Sequence, residues 1–393
     1  MTKRDNAESA IVGLGFSELS RKSIGSARKL AADAVRDAMV DANLRPCDID
    51  GLLINRSPLA DPASMPLALQ NDLQLANLRL LSSIEGQGSS AVQMIQYATG
   101  AIRAGMARTV VCVFADTPVQ PQGGGQAFAA PLAISGIPDW EAHCGLYGAP
   151  GAYALAADEY LSYYGLDRDC LGAVAVADRA WAAGNPQAFL RKPLDLAQYR
   201  ASPWVVEPFR VLDCAYPVNG AVAVVVTSAR RAPNLAERPA YVHGMGQGHA
   251  GSAAQAEAHD GLPLLGAGLA GRIACDMAGV APKDISACQF YEAFSITTLL
   301  ALEANGFCEP GTAGAFVKAG ETSPGGRLPC NTGGGHLSSY YLQGMTPLAE
   351  ALIQVRRQGG ERQLDNVALQ LVTGNGGCLE HHAALLLGSE SRL

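Results

Sequence analysis

An internal duplication restricts the possible folds of this chain more than any other feature of its sequence. Residues 42–49 align with residues 278–285, an offset of 236 positions, and the Ala, Pro, Asp and Ile of the two octapeptides are identical. Each copy follows an amphipathic helix, which the spacing of apolar residues predicts over residues 27–42 and 265–278, and precedes a short buried strand. The chain is therefore expected to contain two copies of one supersecondary unit.

The rest of each half alternates helices with strands. A helix followed by a strand is predicted within residues 94–114 and again within residues 345–372. Both halves close on a continuous apolar run, residues 221–227 and 383–387, which is typical of a strand covered on both faces. This alternation predicts an α/β protein with a largely parallel sheet in each half, the two sheets lying between layers of helices.

The predicted domain boundary lies between the two copies. It gives an N-terminal half of residues 1–235 and a C-terminal half of residues 236–393. Within the first half, residues 117–213 lose the regular pattern and accumulate Pro and Gly. A segment of this length inside a compact domain is more often a cap over a site than a connector. We therefore predict an inserted cap there, with a helix over residues 153–164.

Composition and charge exclude several functions. Hydrophobic residues make up 48% of the chain and charged residues 17%, with a net charge of -7 and no long run of Lys or Arg. A nucleic-acid surface therefore has no electrostatic basis. The sequence has neither an apolar run long enough to span a membrane nor an apolar signal segment. These observations predict a cytoplasmic protein that does not insert into membranes and acts on a small molecule.

No metal site is expected from the spacing of the potential ligands. The ten cysteines occur singly, and the pair His381 and His382 has no carboxylate or cysteine at ligand spacing. Most of the cysteines are expected to be buried thiols in a reducing compartment. The two histidines are expected to lie on the surface or to pack in the core.

The segment from Gly86 to Ala91 has two interpretations. It follows an apolar run and opens a helix, and Asp116 ends the next strand, so a dinucleotide site has to be considered. The duplication favours the second interpretation, a strand-to-helix turn whose glycines permit close approach. Ser89 or Ser90 would then cap the helix.

Three segments of the second half are candidates for a binding site. Residues 331–345 combine three consecutive glycines with a histidine and a pair of tyrosines, and residues 374–377 form a second glycine loop after a buried strand. Residues 291–294, Tyr-Glu-Ala-Phe, end another strand, where ligands of α/β proteins are commonly bound. Glycines let the backbone approach a ligand closely, so a packed site loop is the interpretation we adopt.

These segments resemble the thiolase superfamily, most closely its sterol-carrier-protein-type branch and the related lipid-transfer-type acyl-CoA aldolases. The resemblance covers nearly the whole chain and implies the thiolase fold, two duplicated halves in a five-layer αβαβα sandwich with an inserted cap. It is carried by Asn185-Pro186, Leu212-Asp213-Cys214, Asn219-Gly220-Ala221, Phe290 to Phe294, Leu302 to Cys308, Asn331 to Met345, and Gly374 to Gly377.

The chain departs from the thiolase pattern at the catalytic positions. The nucleophilic cysteine of the family would fall at about Gly88, and the second cysteine is missing from residues 371–374. The Asn of the Asn-Glu-Ala-Phe motif is Tyr291, and the His of the Gly-His-Pro motif falls on Tyr341. Loss of both thiols removes covalent acyl transfer, whereas two phenols supply groups that give or take a proton.

The resemblance implies a carbon–carbon lyase, which cleaves a 3-hydroxyacyl-CoA, such as a steroid or bile-acid side-chain ester, into a ketone or aldehyde and a shortened acyl-CoA. Tyr291 and Tyr341 would be catalytic, with base and acid unassigned. Coenzyme A belongs to the substrate, and no covalently bound cofactor is expected. The predicted oxyanion and substrate-binding residues are Gly88, Ser89, Glu292, Gly334, Gly335, His336, Gly374 and Gly376.

Two other functions stay open on the sequence alone. One is acyl transfer without a covalent intermediate, and the other is a non-catalytic scaffold that binds lipid or acyl-CoA. For the assembly, the resemblance implies a homodimer formed through a sheet edge. It also implies a small OB-fold and zinc-ribbon partner protein that helps to hold the acyl-CoA.

Overall fold

The chain folds into two similar halves with an inserted segment in the first. The computed structural model describes residues 7–55, 65–119, 140, 143–146, 148–249 and 265–392. The first half begins with β1 (Ser9–Phe16), α1 (Ala27–Asp41), β2 (Gly51–Asn55), α2 (Met65–Asp72), β3 (Leu80–Ile84), α3 (Ser90–Arg103) and β4 (Thr109–Asp116). The inserted segment holds α4 (Gly148–Tyr164), α5 (Asp169–Ala183), α6 (Leu196–Ala201), β5 (Trp204–Val206) and β6 (Phe209–Arg210), and β7 (Gly220–Ser228) closes the half. The second half contains β8 (Ala240–His249), α7 (Leu265–Ala278), β9 (Ala287–Gln289), α8 (Ser295–Ala304), α9 (Ala313–Lys318), α10 (Met345–Val355), β10 (Leu369–Gly376) and β11 (His381–Gly388).

The duplication predicted from the sequence is confirmed by the order of these elements. The unit β1–α1–β2 reappears as β8–α7–β9, and the short 3₁₀ turns Pro46–Asp48 and Pro282–Asp284 stand at the same offset of 236 positions. Further along, α3, β4 and β7 correspond to α10, β10 and β11. Residues 229–239 connect β7 to β8, and the division of the chain at residue 235 stays a prediction.

Helix α1 shows why the repeated helices form where the apolar spacing predicts them. Ser26 caps the helix by accepting a hydrogen bond from the Lys29 amide at 3.3 Å. Leu30, Val35 and Ala38 share one buried face that covers the sheet. The recurrence of apolar residues at three and four positions therefore predicts both the helix and the face that packs on the sheet.

Nine strands form one sheet in the order β3-β2-β4-β7-β1-β8-β11-β10-β9. The first strands of the two halves, β1 and β8, pair antiparallel with Ser9 opposite Val242, so the two predicted sheets are hydrogen-bonded into one. Among the described strands of this sheet, the parallel pairs are β2–β3, β2–β4 and β9–β10.

The prediction of a largely parallel sheet in each half is therefore wrong. The hairpin β10–β11 has a connection of only residues 377–380, too short for the crossover that parallel strands need. Strand β7 also pairs antiparallel, with both β4 and β1. A continuous apolar run shows that a strand is buried on both faces, but it carries no information about direction.

The predicted five-layer order is present. Helices α3 and α10 lie at the centre and pack on apolar residues from both halves, such as Val222 on β7 and Leu385 on β11. Helix α1 covers the outer face of the first half. Residues of α7 and α8 pack with the outer face of the second half. None of the described helices is long and apolar enough to cross a bilayer.

The inserted segment packs on the second half beside the glycine-rich residues 331–345. The predicted helix of this segment is present within α4, and residues 120–139, 141, 142 and 147 lie outside the described part of the chain. Asn185 Nδ2 donates to Gly333 O at 2.8 Å, and Arg179 Nε donates to Ser338 Oγ at 2.9 Å. The insertion therefore helps to build the wall of the candidate site.

Candidate active site

Tyr291 and Tyr341 form a hydrogen-bonded pair of phenols. Their hydroxyl oxygens are 2.7 Å apart, and either hydroxyl has the geometry to donate. The rings are nearly perpendicular, at 74°, with centroids 6.2 Å apart. Tyr291 is 5% exposed, whereas Tyr341 is partly exposed. The pair thus lies in a protected position that is reachable from the side of Tyr341.

Backbone contacts from both halves hold the two phenols in place. Tyr291 follows β9, and its amide donates to Thr373 Oγ1 on β10 at 3.2 Å. The Tyr341 amide donates to Tyr216 O at 2.9 Å, and residues 217 and 341 form a parallel bridge just before β7. Tyr291 is therefore positioned by the second half, and Tyr341 by the residues that precede β7 in the first half.

His336 packs against both phenol rings, and both of its ring nitrogens have hydrogen-bond partners. Its ring centroid is 4.8 Å from that of Tyr291 and 5.0 Å from that of Tyr341. Nε2 lies 2.8 Å from Gln343 O, and Nδ1 lies 3.1 Å from the Glu292 amide nitrogen and 3.0 Å from Glu292 O. A neutral imidazole that carries its proton on Nε2 donates to Gln343 and accepts from the Glu292 amide.

Burial sets the charge of this cluster. It lowers the pKa of His336 to about 4 and raises the pKa of Tyr341 to about 12, although the hydrogen bond from Tyr291 acts in the opposite direction on Tyr341. Burial also raises the pKa of Tyr291 well above its usual value, and neighbouring phenols add to that shift. All three side chains are therefore neutral at pH 7.

Glu292 holds the glycine-rich segment in register with the phenol pair. Its Oε1 accepts hydrogen bonds from Asn331 Nδ2 at 2.6 Å and from Thr298 Oγ1 at 2.8 Å. Its Oε2 accepts from the His336 amide at 3.1 Å. The carboxyl group is fully buried, and its predicted role in substrate binding stays a prediction.

Gly88 approaches the ring of Tyr291 from the first half. A Cβ atom at this position would lie 2.3 Å from Tyr291 Cε2 and 2.2 Å from Asn375 O, closer than any real contact. The position at which the resemblance places a nucleophilic cysteine is thus filled by a phenol ring. A side chain at residue 88 and Tyr291 are mutually exclusive in this arrangement.

The loop that contains Gly88 packs backbone to backbone on β10. A Cβ at Gly374 would lie 2.7 Å from Ser89 Cα, and a Cβ at Gly376 would lie 2.0 Å from Gly86 O. The prediction that Ser89 or Ser90 caps α3 is wrong, because Ser89 Oγ donates back to Gly86 O at 2.6 Å and Ser90 Oγ accepts from the Gly86 amide at 2.7 Å. Both hydroxyls stabilise the turn instead.

Gly334 and Gly335 have conformational reasons to be glycine. Their φ angles are 94° and 55°, in the left-handed region that other residues rarely adopt. The Gly334 amide already donates to Asn331 O at 2.8 Å. Their role in binding an oxyanion stays a prediction, and the geometry gives them a role in shaping the turn that carries His336.

Tyr153 is a site residue that the sequence pattern did not reveal. It lies on α4 of the inserted segment and is buried. Its hydroxyl donates to Gly377 O at 3.1 Å and accepts from Asn375 Nδ2 at 2.9 Å, which ties the inserted segment to the second glycine loop. The sequence predicted only that the inserted segment caps a site, and that prediction does not identify individual residues.

The other candidates lie outside this cluster. His381 faces His249 at the surface, with the two Nδ1 atoms 2.6 Å apart, and His382 is buried with Nε2 3.0 Å from Leu379 O. The described residues contain no group of three or more His, Cys, Asp or Glu side chains that could hold a metal ion. Because the loop of Gly86 packs on β10, it faces the other half of the chain instead of a groove for a dinucleotide.

Comparisons with known proteins place this geometry in a family. Residues 246–389 match the family described as Thiolase C-terminal domain-like. The chain is 35% identical over 361 residues to the 17-hydroxy-3-oxo-4-pregnene-20-carboxyl-CoA lyase of Mycobacterium tuberculosis, an alignment that covers 89% of this chain and 92% of that protein. It is also 35% identical over 377 residues to the steroid side-chain-cleaving aldolase of Thermomonospora curvata, which covers 93% and 95%.

A solved structure supports the same relationship. The Ltp2-ChsH2(DUF35) aldolase superposes with a TM-score of 0.87 at 32% sequence identity, and the superposition covers 99% of this chain and 100% of that one. The whole described architecture, including the inserted segment, is therefore shared with that structure.

We predict that His336 stays neutral from about pH 5 to pH 8, although a free imidazole titrates at about 6.5. Because its pKa is lowered, stability that depends on the neutral ring is complete above the pKa of a free imidazole and is lost as the pH falls towards 4. A ¹⁵N NMR titration of the imidazole nitrogens measures this directly. A titration midpoint near that of free histidine would contradict a neutral His336 at about pH 5 to 6.

Proposed function

The chain belongs to the thiolase superfamily, in the branch of the steroid side-chain-cleaving aldolases, and on that premise we propose that Tyr291 and Tyr341 catalyse retro-aldol cleavage of a 3-hydroxyacyl-CoA. The protein is a thiolase-like lyase. The observation that carries the catalytic assignment is the distance of 2.7 Å between the two phenol oxygens.

The reaction needs no covalent intermediate and no redox cofactor. The hydroxyl group on the third carbon loses its proton and becomes a ketone or aldehyde, and the bond between the second and third carbons breaks. The electron pair of that bond forms a thioester enolate, which takes up a proton on its second carbon to give the shortened acyl-CoA. One proton leaves the substrate and one returns, so the enzyme ends as it began.

A neutral phenol pair suits this proton balance. One tyrosine accepts the hydroxyl proton while its own proton passes along the hydrogen bond to the second tyrosine, which protonates the enolate carbon. Neither phenol has to exist as a phenolate beforehand, which matters because burial raises both pKa values. Both directions of the relay satisfy the geometry, since either hydroxyl is placed to donate.

The negative charge on the enolate oxygen requires stabilisation at the same place. Gly88 contacts Tyr291 just before α3, a helix of 14 residues whose N-terminal end carries partial positive charge. We assign the enolate oxygen to this end of α3, where a preorganised backbone donor contributes about 3 kcal/mol in other enzymes. Because Gly88 and the Tyr291 ring are in contact, the substrate would reach the phenols from the partly exposed side of Tyr341.

The substrate class follows from the named relatives. We propose a CoA ester of a steroid or bile-acid side chain with a hydroxyl group on the third carbon, since two relatives that align over most of the chain carry names of steroid side-chain lyases. Coenzyme A enters as part of that substrate. All ten cysteines are free thiols, in agreement with a cytoplasmic enzyme in a reducing compartment.

We also propose two levels of assembly. Strand β3 is an edge of the nine-stranded sheet and is only partly buried, which suits pairing with a second copy in a homodimer. A small OB-fold and zinc-ribbon protein would help to hold the acyl-CoA. The Ltp2-ChsH2(DUF35) aldolase, whose name contains a second component, supports this proposal.

Tyr291→Phe and Tyr341→Phe are each expected to lower the rate of cleavage by about 10²–10⁴-fold, because each removes one hydroxyl from the relay. Release of ketone or aldehyde from 3-hydroxyacyl-CoA esters with a tertiary hydroxyl group is the measurement. Tyr340→Phe is the matched control, since Tyr340 is buried in the central core. Full rate in both variants would contradict the catalytic role of the two tyrosines. Transfer of the acyl group to an acceptor would identify a transferase.

Gly88→Ala and Gly88→Cys are expected to lower activity by about 10²-fold or more, because the new Cβ displaces the ring of Tyr291 from its partner. Gly100→Ala on α3, the helix that follows Gly88, is the control, since a Cβ there meets nothing within 4 Å. Activity and thermal unfolding are measured for all three variants. An active Gly88→Cys enzyme would show that a side chain at residue 88 and the Tyr291 ring can be accommodated together.

Gel filtration with light scattering tests the assembly. The chain alone is expected to elute as a dimer, and a Lys substitution at the exposed Ser83 on β3 is expected to shift it towards monomer, because charge on an edge strand opposes its pairing with another strand. Addition of a candidate OB-fold partner should give a larger complex with increased activity. A monomer at all concentrations would contradict the homodimer. An unchanged rate of cleavage in the presence of the partner would contradict its role in holding the acyl-CoA.

A further inference from the structure

Asp178 and Glu292 place two carboxyl groups in one buried volume beside Gly335. Asp178 is 3% exposed and Glu292 is 0% exposed. A Cβ on Gly335 would lie 1.8 Å from Glu292 Oε2 and 2.7 Å from Asp178 Oδ2, so an oxygen of each group occupies the space that this glycine leaves open. The two groups reach the site from different parts of the chain, Asp178 from α5 of the inserted segment and Glu292 from the segment after β9.

The donors around the two carboxyls are distributed unequally. Glu292 accepts three hydrogen bonds, from Asn331, Thr298 and the His336 amide. Asp178 Oδ2 has no donor among the described residues. A buried carboxylate without a donor is strongly disfavoured, whereas a protonated carboxyl can itself donate to the neighbouring carboxylate. The arrangement is therefore satisfied when the pair holds one proton and that proton lies on Asp178.

The charges that surround the pair do not supply an alternative partner. Arg179, the nearest cation, directs Nε to Ser338 Oγ and Nη1 to Lys192 O. Cys330 contributes a further unfavourable interaction with a charged Asp178. His336 reaches Glu292 through its amide, and burial keeps its ring neutral. Burial, followed by the closeness of Glu292, raises the pKa of Asp178 well above its usual value, in agreement with a retained proton.

We propose that Asp178 is a positioning residue, a carboxyl that stays protonated at neutral pH, donates to Glu292 and so fixes the turn that packs His336 against the two catalytic phenols. The proposed chain of contacts is continuous: Asp178 donates to Glu292, Glu292 binds Asn331 and the His336 amide, and the His336 ring packs against Tyr291 and Tyr341. This inference rests on the proposed function for its effect on catalysis, but not for the existence of the shared proton.

The experiment compares Asp178→Asn with Asp178→Leu. The amide of Asn keeps the size of the side chain and supplies an N–H donor without a titrating proton, whereas Leu supplies no donor. Asp178→Asn is expected to keep kcat within a few-fold of the wild type, and Asp178→Leu to lose about 10²-fold in kcat with a smaller change in KM. Asp169→Asn is the matched control, because Asp169 lies on the same helix, α5, and accepts a hydrogen bond from Arg200 Nε at 2.9 Å.

A second readout follows the proton itself and needs no substrate. The wild type is expected to show the infrared carbonyl band of a buried protonated carboxyl at neutral pH, and Asp178→Asn to lack it. Because the pKa of Asp178 is raised in the folded state, the stabilisation is complete below the pKa of an unfolded aspartate and is lost as the pH rises through the folded value. The melting temperature of Asp178→Asn should therefore rise relative to the wild type as the solution becomes alkaline, and that of Asp169→Asn should not, because the hydrogen bond with Arg200 lowers the pKa of Asp169.

The outcomes separate this inference from the proposed function. Absence of the carbonyl band in the wild type, or an Asp178→Asn enzyme as inactive as Asp178→Leu, would overturn the shared proton or its positioning role. If Asp178→Leu does not fold, the infrared band and the pH dependence of the melting temperature of Asp178→Asn still test the shared proton. If the band behaves as expected while the phenylalanine variants of the two catalytic tyrosines keep full rate, the carboxyl pair stands and the lyase assignment fails.

Discussion

The contact between Gly88 and the ring of Tyr291 is the constraint on which the site depends. A Cβ at residue 88 would lie 2.3 Å from that ring, so a side chain at the start of α3 and a phenol after β9 cannot coexist. The absence of a side chain at residue 88 and the position of the Tyr291 ring are thus one structural fact, to which the backbone oxygen of Asn375, 2.2 Å from the same Cβ, also contributes.

The site works by neutral groups in a buried setting. Both phenols and the imidazole beside them hold their neutral forms because desolvation penalises their charged forms. The proposed proton relay therefore starts from neutral phenols. Burial also raises the pKa of the Glu292 carboxyl, and three donors and the proposed proton of Asp178 stabilise its charged form.

The sequence predicted the repeated elements well because repetition at 236 positions and apolar spacing are local properties of the chain. It did not predict the antiparallel pairing of β7, since strand direction depends on how a long connection returns to the sheet. It missed Tyr153 and Asp178 for a related reason. Both lie in the inserted segment, where the apolar pattern is weak, and only its packing on the second half brings them to the site.

By itself, the sequence determined the fold class and the loss of the thiol groups, and it predicted the two halves and the pair of tyrosines. Tertiary structure alone decided that their hydroxyls meet at 2.7 Å, that His336 has no free nitrogen, and that the two serines stabilise a turn instead of capping a helix. The physical reason is distance along the chain. Residues 291 and 341 are fifty positions apart, and their separation in space is fixed by contacts with β7, β10 and α3 that no local pattern encodes.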